Sequence, residues 1–184
     1  ACSSVITIPE DINGHEIYYI GAGAFSESRV SSVTLSKNLV AIAPIAFSDS
    51  NLQKLYTENA SNLEYIGEGA FAETYISNID FSDMPSLAVI EDGAFSDSNL
   101  GGTLDFSPLK ELQYIGDDAF EDNAIDSVNI TGLENLEYIG EDAFSDNTLN
   151  GNINIENNSN LVYIGNDAFG DSYSTVSVLN ISNN

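Results

Sequence analysis

Residues 135–147 read NLEYIGEDAFSDN and residues 62–74 read NLEYIGEGAFAET, nearly the same phrase at positions 73 apart. Aligned on its Ala-Phe pair, the phrase recurs along the whole chain. YIGAGAF ends at Phe25, AIAPIAF at Phe47, YIGEGAF at Phe71, VIEDGAF at Phe95, YIGDDAF at Phe120, YIGEDAF at Phe144 and YIGNDAF at Phe169. The intervals are 22, 24, 24, 25, 24 and 25 residues. A fixed period in this range marks stacked repeats, in which one supersecondary unit buries its apolar face only against its neighbours.

The apolar columns divide each unit. Ile stands five residues before every Phe (Ile20, Ile42, Ile66, Ile90, Ile115, Ile139, Ile164), and Ile17 or Leu stands eight before it (Leu39, Leu63, Leu87, Leu112, Leu136, Leu161). Columns so regular must face inward. The offsets −8, −5, −1 and 0 are close to a helical period, but Gly at −4 in five units restricts the expected helix to a short turn near the Phe. Acidic residues at −3 and −2, such as Asp117 and Asp118, suit the N-terminal end of such a turn.

A second pattern separates the Phe columns: Val30-x-x-Val33-x-Leu35, Ile76-x-x-Ile79-x-Phe81, Ile125-x-x-Val128-x-Ile130 and Val176-x-x-Leu179-x-Ile181. Its alternating, β-branched second half predicts one short strand per unit. Two units carry an extra residue, before Leu104-x-Phe106 and before Ile153-x-Ile155, where bulges or small loops are expected to absorb it. Strands running in one direction, each returning through a turn on the far side, stack into a parallel sheet with a spacing of about 4.8 Å.

Composition bounds the function. In 184 residues, 29 acidic side chains oppose four basic ones, Arg29, Lys37, Lys54 and Lys110, for a formal charge of −25. That balance repels phosphate backbones and anionic lipid surfaces, so no nucleic-acid partner and no membrane insertion are expected. It suits a secreted protein or a salty habitat. Hydrophobic residues make up 42% of the chain, enough for a core. No apolar run approaches the roughly 18 residues of a membrane span. Cys2 is the only cysteine and excludes an internal disulfide. His15, the only histidine, sits alone in a turn-like DINGHEI and offers no catalytic arrangement.

These units resemble a leucine-rich repeat, L-x-x-L-x-L followed by a convex segment, and more closely the BspA-type leucine-rich repeats. The likeness rests on ITIPEDINGHEIYYIGAGAF (6–25) and on every later IG-x-x-AF. Three residues after the Phe this chain has Ser, Thr or Asn (Ser28, Ser50, Thr74, Ser98, Asn123, Asn147, Ser172) where the family often has Cys. Such small polar groups can still satisfy turn backbone. The resemblance implies an α/β solenoid: about seven repeats of 22–25 residues, a parallel β-sheet on the concave face and short helical turns on the convex side. It also implies a non-catalytic extracellular or cell-surface protein that adheres to an extracellular protein or glycan on a host or microbial surface.

A strand ladder offers a broad concave face on which exposed side chains can vary without touching the core. The candidate partner-binding residues are Thr34, Lys54, Tyr56, Asn78, Asp80, Asp105, Asp126, Asn129, Asn152 and Asn154, mostly short and polar with one aromatic. A hydrogen-bonding surface for a polar partner and a merely solvated sheet both fit them. Two residues after each Phe the side chain is always acidic, and stacking would align Asp97, Asp122, Asp146 and Asp171 as candidate calcium ligands. A solvated turn whose acid accepts backbone N–H groups is the competing reading, and no D-x-D-x-D-G loop is present. Five tyrosines at −6 (Tyr19, Tyr65, Tyr114, Tyr138, Tyr163) are expected on an outer edge, stacked along the solenoid. Residues 1–184 read as one solenoid domain. They start and stop on a strand without the polar cap that solenoid ends require, so a longer protein or end-to-end pairing is expected. The alternative to adhesion is a structural spacer or assembly segment presenting another domain, stabilised by calcium if the acidic column binds it.

Overall fold

The computed structural model describes residues 4–170, 178–182 and 184. The chain winds as a solenoid whose successive coils are joined by parallel strand pairs on two sides. One side is a seven-stranded ladder of two-residue strands: Tyr19–Ile20, Ala41–Ile42, Tyr65–Ile66, Val89–Ile90, Tyr114–Ile115, Tyr138–Ile139 and Tyr163–Ile164, each pairing with the next in sequence. The other side carries the strands expected above on the concave face, and that label is kept for it. It comprises a three-stranded sheet (Val5–Thr7, Ser32–Thr34, Lys54–Tyr56) and a four-stranded one (Gly101–Asp105, Ala124–Thr131, Asn152–Glu156, Val178–Ser182). Near the start, Asp11–Ile12 and His15–Glu16 form an antiparallel hairpin. Its turn, Asn13-Gly14, has φ of 55° and 83°, the left-handed pair that a two-residue hairpin loop requires.

The inward columns pack as their spacing predicts except at the ends of the solenoid, where Ile17 and Leu161 are only partly buried and Ile164 is exposed. Ile42, Ile66, Ile90, Ile115 and Ile139 are buried, as are Leu39, Leu63, Leu87, Leu112 and Leu136, in one hydrophobic cluster that extends from Ile8 to Ala168. Down its centre the seven phenylalanines form a continuous stack from Phe25 to Phe169. Neighbouring ring centroids lie 5.0 to 5.3 Å apart, and planes are inclined by 12° or less. Burial of each such ring contributes about 1.5–3 kcal/mol, so the column is the main support of the fold.

The expected helical turns are absent: no helix occurs among the described residues. The segment around each Phe is instead a run of β-turns with φ between 48° and 61° at −2 (Gly23, Ile45, Gly69, Gly93, Asp118, Asp142, Asp167). At +2 it is between 50° and 57° in Glu27, Asp49, Glu73, Asp97, Asp122 and Asp146. The hydrogen bonds explain why. N–H groups of Gly69, Phe71 and Glu73 donate along the solenoid to Asp92, Ala94 and Ser96 C=O at 2.8 to 3.0 Å, whereas those of Ala70 and Ala72 turn back to Gly67 and Gly69 C=O. A helix would keep all of these bonds within its own segment. Here every second one ties two coils together.

A second departure lies on the concave face. Residues 76–81 carry the same pattern as the strands, yet form none, so the ladder is interrupted between Lys54–Tyr56 and Gly101–Asp105. The extra residue before Leu104 is taken up as expected, by a register shift between Gly102 and Thr103. The one before Ile153 lies in the loop after Leu149, outside the paired register.

Candidate functional site

The convex side accounts for two of the sequence columns. In the later coils the acid at −3 does not cap a helix. Asp92 Oδ1 accepts the Asp117 N–H (3.0 Å) and the Tyr114 hydroxyl (3.2 Å), and Asp117 Oδ1 accepts the Glu141 N–H (2.9 Å) and the Tyr138 hydroxyl (3.1 Å). Each carboxylate thus reaches into the next coil across the Gly at −4. A Cβ on Gly116 would stand 2.4 Å from Asp92 N and 2.5 Å from Asp92 Oδ1. The tyrosines stack as expected only where they are adjacent. Tyr114, Tyr138 and Tyr163 have centroids 4.8 and 4.7 Å apart, whereas Ala41 and Val89 separate Tyr19, Tyr65 and Tyr114. Partial burial and the bond to Asp117 push the Tyr138 phenol up to about 12, and burial beside Asp92 raises Tyr114 as well.

The acidic column at +2 lies along the turns. Asp97 and Asp122 are exposed and Asp146 is half-exposed; Asp171 lies outside the described residues. The left-handed φ at +2 favours Asp over most side chains, independently of any ligand. The neighbouring Asp49 carboxylate, through hydrogen bonding and like charge, raises the Glu73 carboxyl above its ordinary value. Among the described residues no three His, Cys, Asp or Glu side chains converge in a group that could hold a metal ion.

Four of the polar residues at +3, Thr74, Ser98, Asn123 and Asn147, bond the turn backbone, whereas the buried Ser50 hydroxyl has no partner and Ser172 lies outside the described residues. Asn147 is fully buried; its Nδ2 donates to Phe120, Phe144 and Ser145 C=O, and its Oδ1 accepts the Ile125 N–H at 3.0 Å. Asn123 bonds the preceding coil in the same way, and Thr74 and Ser98 both donate to Phe71 C=O. In these four coils the turn backbone is thereby satisfied from within the chain.

On the concave face the ten candidate residues fall into two groups. Asp105, Asn129 and Asn154 share one register row. Asn129 Nδ2 donates to Asp105 Oδ1 at 2.8 Å, and the Thr131 hydroxyl donates to Asn129 Oδ1 at 2.7 Å. Asp126 and Asn152 lie near the starts of their strands, where Asp126 accepts the Thr148 hydroxyl and the Asn152 N–H donates to Ser127 Oγ. Thr34 ends its strand in register with Thr7 and Tyr56.

The other group surrounds the break in the ladder. Lys54, Tyr56, Asn78 and Asp80 line an open cleft of about 360 Å³, together with Leu55, Thr57, Glu58 and Asp83. Asp80 Oδ1 accepts the Ser82 N–H at 2.9 Å; that bond, with the Ser82 hydroxyl, holds its carboxyl below the ordinary value. Asp105 is likewise lowered: partial burial acts upward, but Ser107, Asn129 and the Lys110 charge outweigh it. Lys37 pairs with Glu10 at 3.0 Å, whereas Lys54, which lines the cleft with its acids, makes no ion pair with them. Sequence reasoning missed Glu58 and Asp83. Both follow the strand position in the turns TENASN and SDMPS, and acids clustered just past a strand end were the available signal.

The family profile described as BspA type leucine rich repeat region matches residues 3–106 and 86–184, in six copies. Among solved structures, a T. pallidum leucine rich repeat protein (TpLRR) superposes with a TM-score of 0.65 at 21% identity, over 97% of this chain and 72% of that one. The pneumococcal vaccine antigen PcpA gives 0.54 at 17% identity, over 97% of this chain and 60% of that one, so this chain spans less than two thirds of the antigen's length. At these identities the likeness is one of fold. No curated protein matches the sequence.

Proposed function

The chain belongs to the BspA-type leucine-rich repeat family, and on that premise we propose that it is a non-catalytic, extracellular or cell-surface binding and adhesion module that recognises a protein or glycan through its concave face. One contrast carries the reading. The convex turns repeat with Gly, Asp and Tyr committed to coil-to-coil bonds, while the concave positions change from coil to coil and enclose a cleft whose charges are left unpaired. A rigid scaffold with a variable face is how repeat proteins separate stability from recognition.

The test is a binding screen against glycans, matrix proteins and whole cells, with and without calcium, using the wild type and a Thr34→Arg/Tyr56→Ala/Asn78→Arg variant. Binding that is retained by the variant removes the concave face from the account. The uninterrupted Phe stack supports a second reading, a stiff spacer that presents a neighbouring domain. A wild type that binds nothing in the screen while holding an appended domain at fixed distance would support the spacer.

A further inference from the structure

Tyr114, Tyr138 and Tyr163 stand in register on three successive parallel strands of the convex ladder, so like atoms of neighbouring rings lie over one another. Their centroids are 4.8 and 4.7 Å apart and their planes are inclined by 10° and 9°. Two of the phenols are tied to a carboxylate of the preceding coil. The Tyr114 hydroxyl donates to Asp92 Oδ1 at 3.2 Å, and that of Tyr138 to Asp117 Oδ1 at 3.1 Å. No other two tyrosines among the described residues stack on one another. Ala41 lies between Tyr19 and Tyr65, and Val89 between Tyr65 and Tyr114. Stacking turns the ring faces toward each other, so the group offers little flat surface to a sugar. Its edges remain open, and Tyr163, at one end, is 39% exposed.

We propose that this stack is an oxidative modification site, at which a one-electron oxidant joins Tyr138 to Tyr114 or Tyr163 through their ortho carbons, a dityrosine that ties two coils covalently. A neutral phenol gives up an electron readily only when its proton leaves with it. For Tyr114 and Tyr138 the acceptor of that proton, an Asp carboxylate, is already within hydrogen-bond reach. Each of two neighbouring rings loses one electron to the oxidant and its phenol proton to a carboxylate or to water. The two neutral phenoxyl rings then form one carbon–carbon bond, and the hydrogen on each coupling carbon moves to its own ring oxygen, restoring two phenols. Two electrons and two protons leave the pair; hydrogen peroxide, acting through a haem peroxidase, takes them up as two molecules of water. The link spans backbones about 4.8 Å apart, within reach of two tyrosine side chains. Tyr18, Tyr19, Tyr56 and Tyr75 are more exposed than Tyr163 but have no tyrosine stacked on them. Coupling between two copies of the chain is opposed by the charge of −25 on each.

The probe is ruthenium tris-bipyridine with persulfate under visible light, which performs the same one-electron oxidation and, as a cation, is drawn to this acidic protein. Wild type, Tyr138→Phe and Tyr19→Phe are oxidised in dilute solution, and the monomer is recovered from a denaturing gel. Dityrosine fluorescence and peptide mapping by mass spectrometry follow. The expected product, in wild type and Tyr19→Phe alike, is a peptide pair short of two hydrogens that joins residue 138 to 114 or 163. Tyr138→Phe keeps a ring in the stack but should lose the monomer's dityrosine, because Tyr114 and Tyr163 are not neighbours. The oxidised wild type should also melt higher than before treatment, and oxidised Tyr138→Phe should not, since the link closes a loop of 24 or 25 residues in the unfolded chain. Circular dichroism checks that the variants fold, and the map of the wild type decides the matter without them. Monomer dityrosine undiminished in Tyr138→Phe would overturn the proposal. So would a wild-type map in which the links run between copies through Tyr19 or Tyr75, or in which the stacked rings are oxidised singly without joining.

Discussion

Gly140→Ala and Gly21→Ala are the same substitution at the same column of the repeat, and the structure assigns them opposite outcomes. A Cβ on Gly140 would lie 2.4 Å from Asp117 N, Gly116 C and Gly116 O, all main-chain atoms of the preceding coil, whereas one on Gly21 meets nothing within 4 Å. Relief at Gly140 needs the two coils to part locally by about 1 Å, an overpacking cost of about 1–3 kcal/mol. That movement also stretches the bonds from Glu141 N–H (2.9 Å) and the Tyr138 hydroxyl (3.1 Å) to Asp117, each contributing about 1 kcal/mol. Gly140→Ala should therefore destabilise by about 3–5 kcal/mol, lowering the thermal midpoint by roughly 6–20 °C for a chain of this length. Gly21→Ala should be neutral or stabilise by about 0.4–1 kcal/mol through the unfolded chain. Circular dichroism melts of the two variants beside wild type decide it. Midpoints that move together would refute the close-approach argument, and a Gly140→Ala protein as stable as wild type would mean that the coils are not in contact there.

Three further outcomes follow from the same packing. Asn147→Leu removes the acceptor for the buried Ile125 N–H and the donor to three carbonyls, and should cost about 2–4 kcal/mol in urea unfolding; Asn123→Leu, in a half-buried copy of the site, should cost less. Tyr138 has its phenol raised from 10.0 to about 12, so the folded state favours the neutral ring. This contribution is fully present below pH 10 and is lost as pH rises to about 12; an ultraviolet titration should find Tyr138→Phe lacking one of the late-titrating transitions of the wild type, with that of Tyr114, which is raised further, still present. Because the +2 carboxylates of the described coils do not converge on a metal site, the thermal midpoint should not move on adding a chelator, and a rise with added calcium would restore the acidic column as a cation site.

The apolar columns were legible because burial forces a periodic choice: Leu, Ile, Ala and Phe at −8, −5, −1 and 0 repeat for no other reason. The turns were misread because those offsets also fit a helix. The informative residues were Gly, Asp and Glu at −2 and +2, since two left-handed positions four residues apart cannot belong to one helical turn. Gly at −4 was read as a helix limit, whereas its role is to admit the preceding coil's backbone and, at Gly116, the Asp92 carboxylate. Nothing in Ile76-x-x-Ile79-x-Phe81 marks the break in the concave ladder. Ser77, Asn78 and Asp80 are poor strand formers, but Asn152 and Asn154 sit in a five-residue strand, so composition does not separate the two cases. Lys54, Tyr56, Asn78 and Asp80 were identifiable as concave; that they meet around one cleft depends on that break.

Hydrogen–deuterium exchange of the chain, alone and with a partner recovered from the binding screen, tests the claim that the concave face is the recognition surface. Protection should fall on residues 54–58 and 78–83, while the convex turns at 67–73 and 116–122 exchange as in the free chain. Protection confined to those convex turns, with the concave residues unchanged, would contradict it.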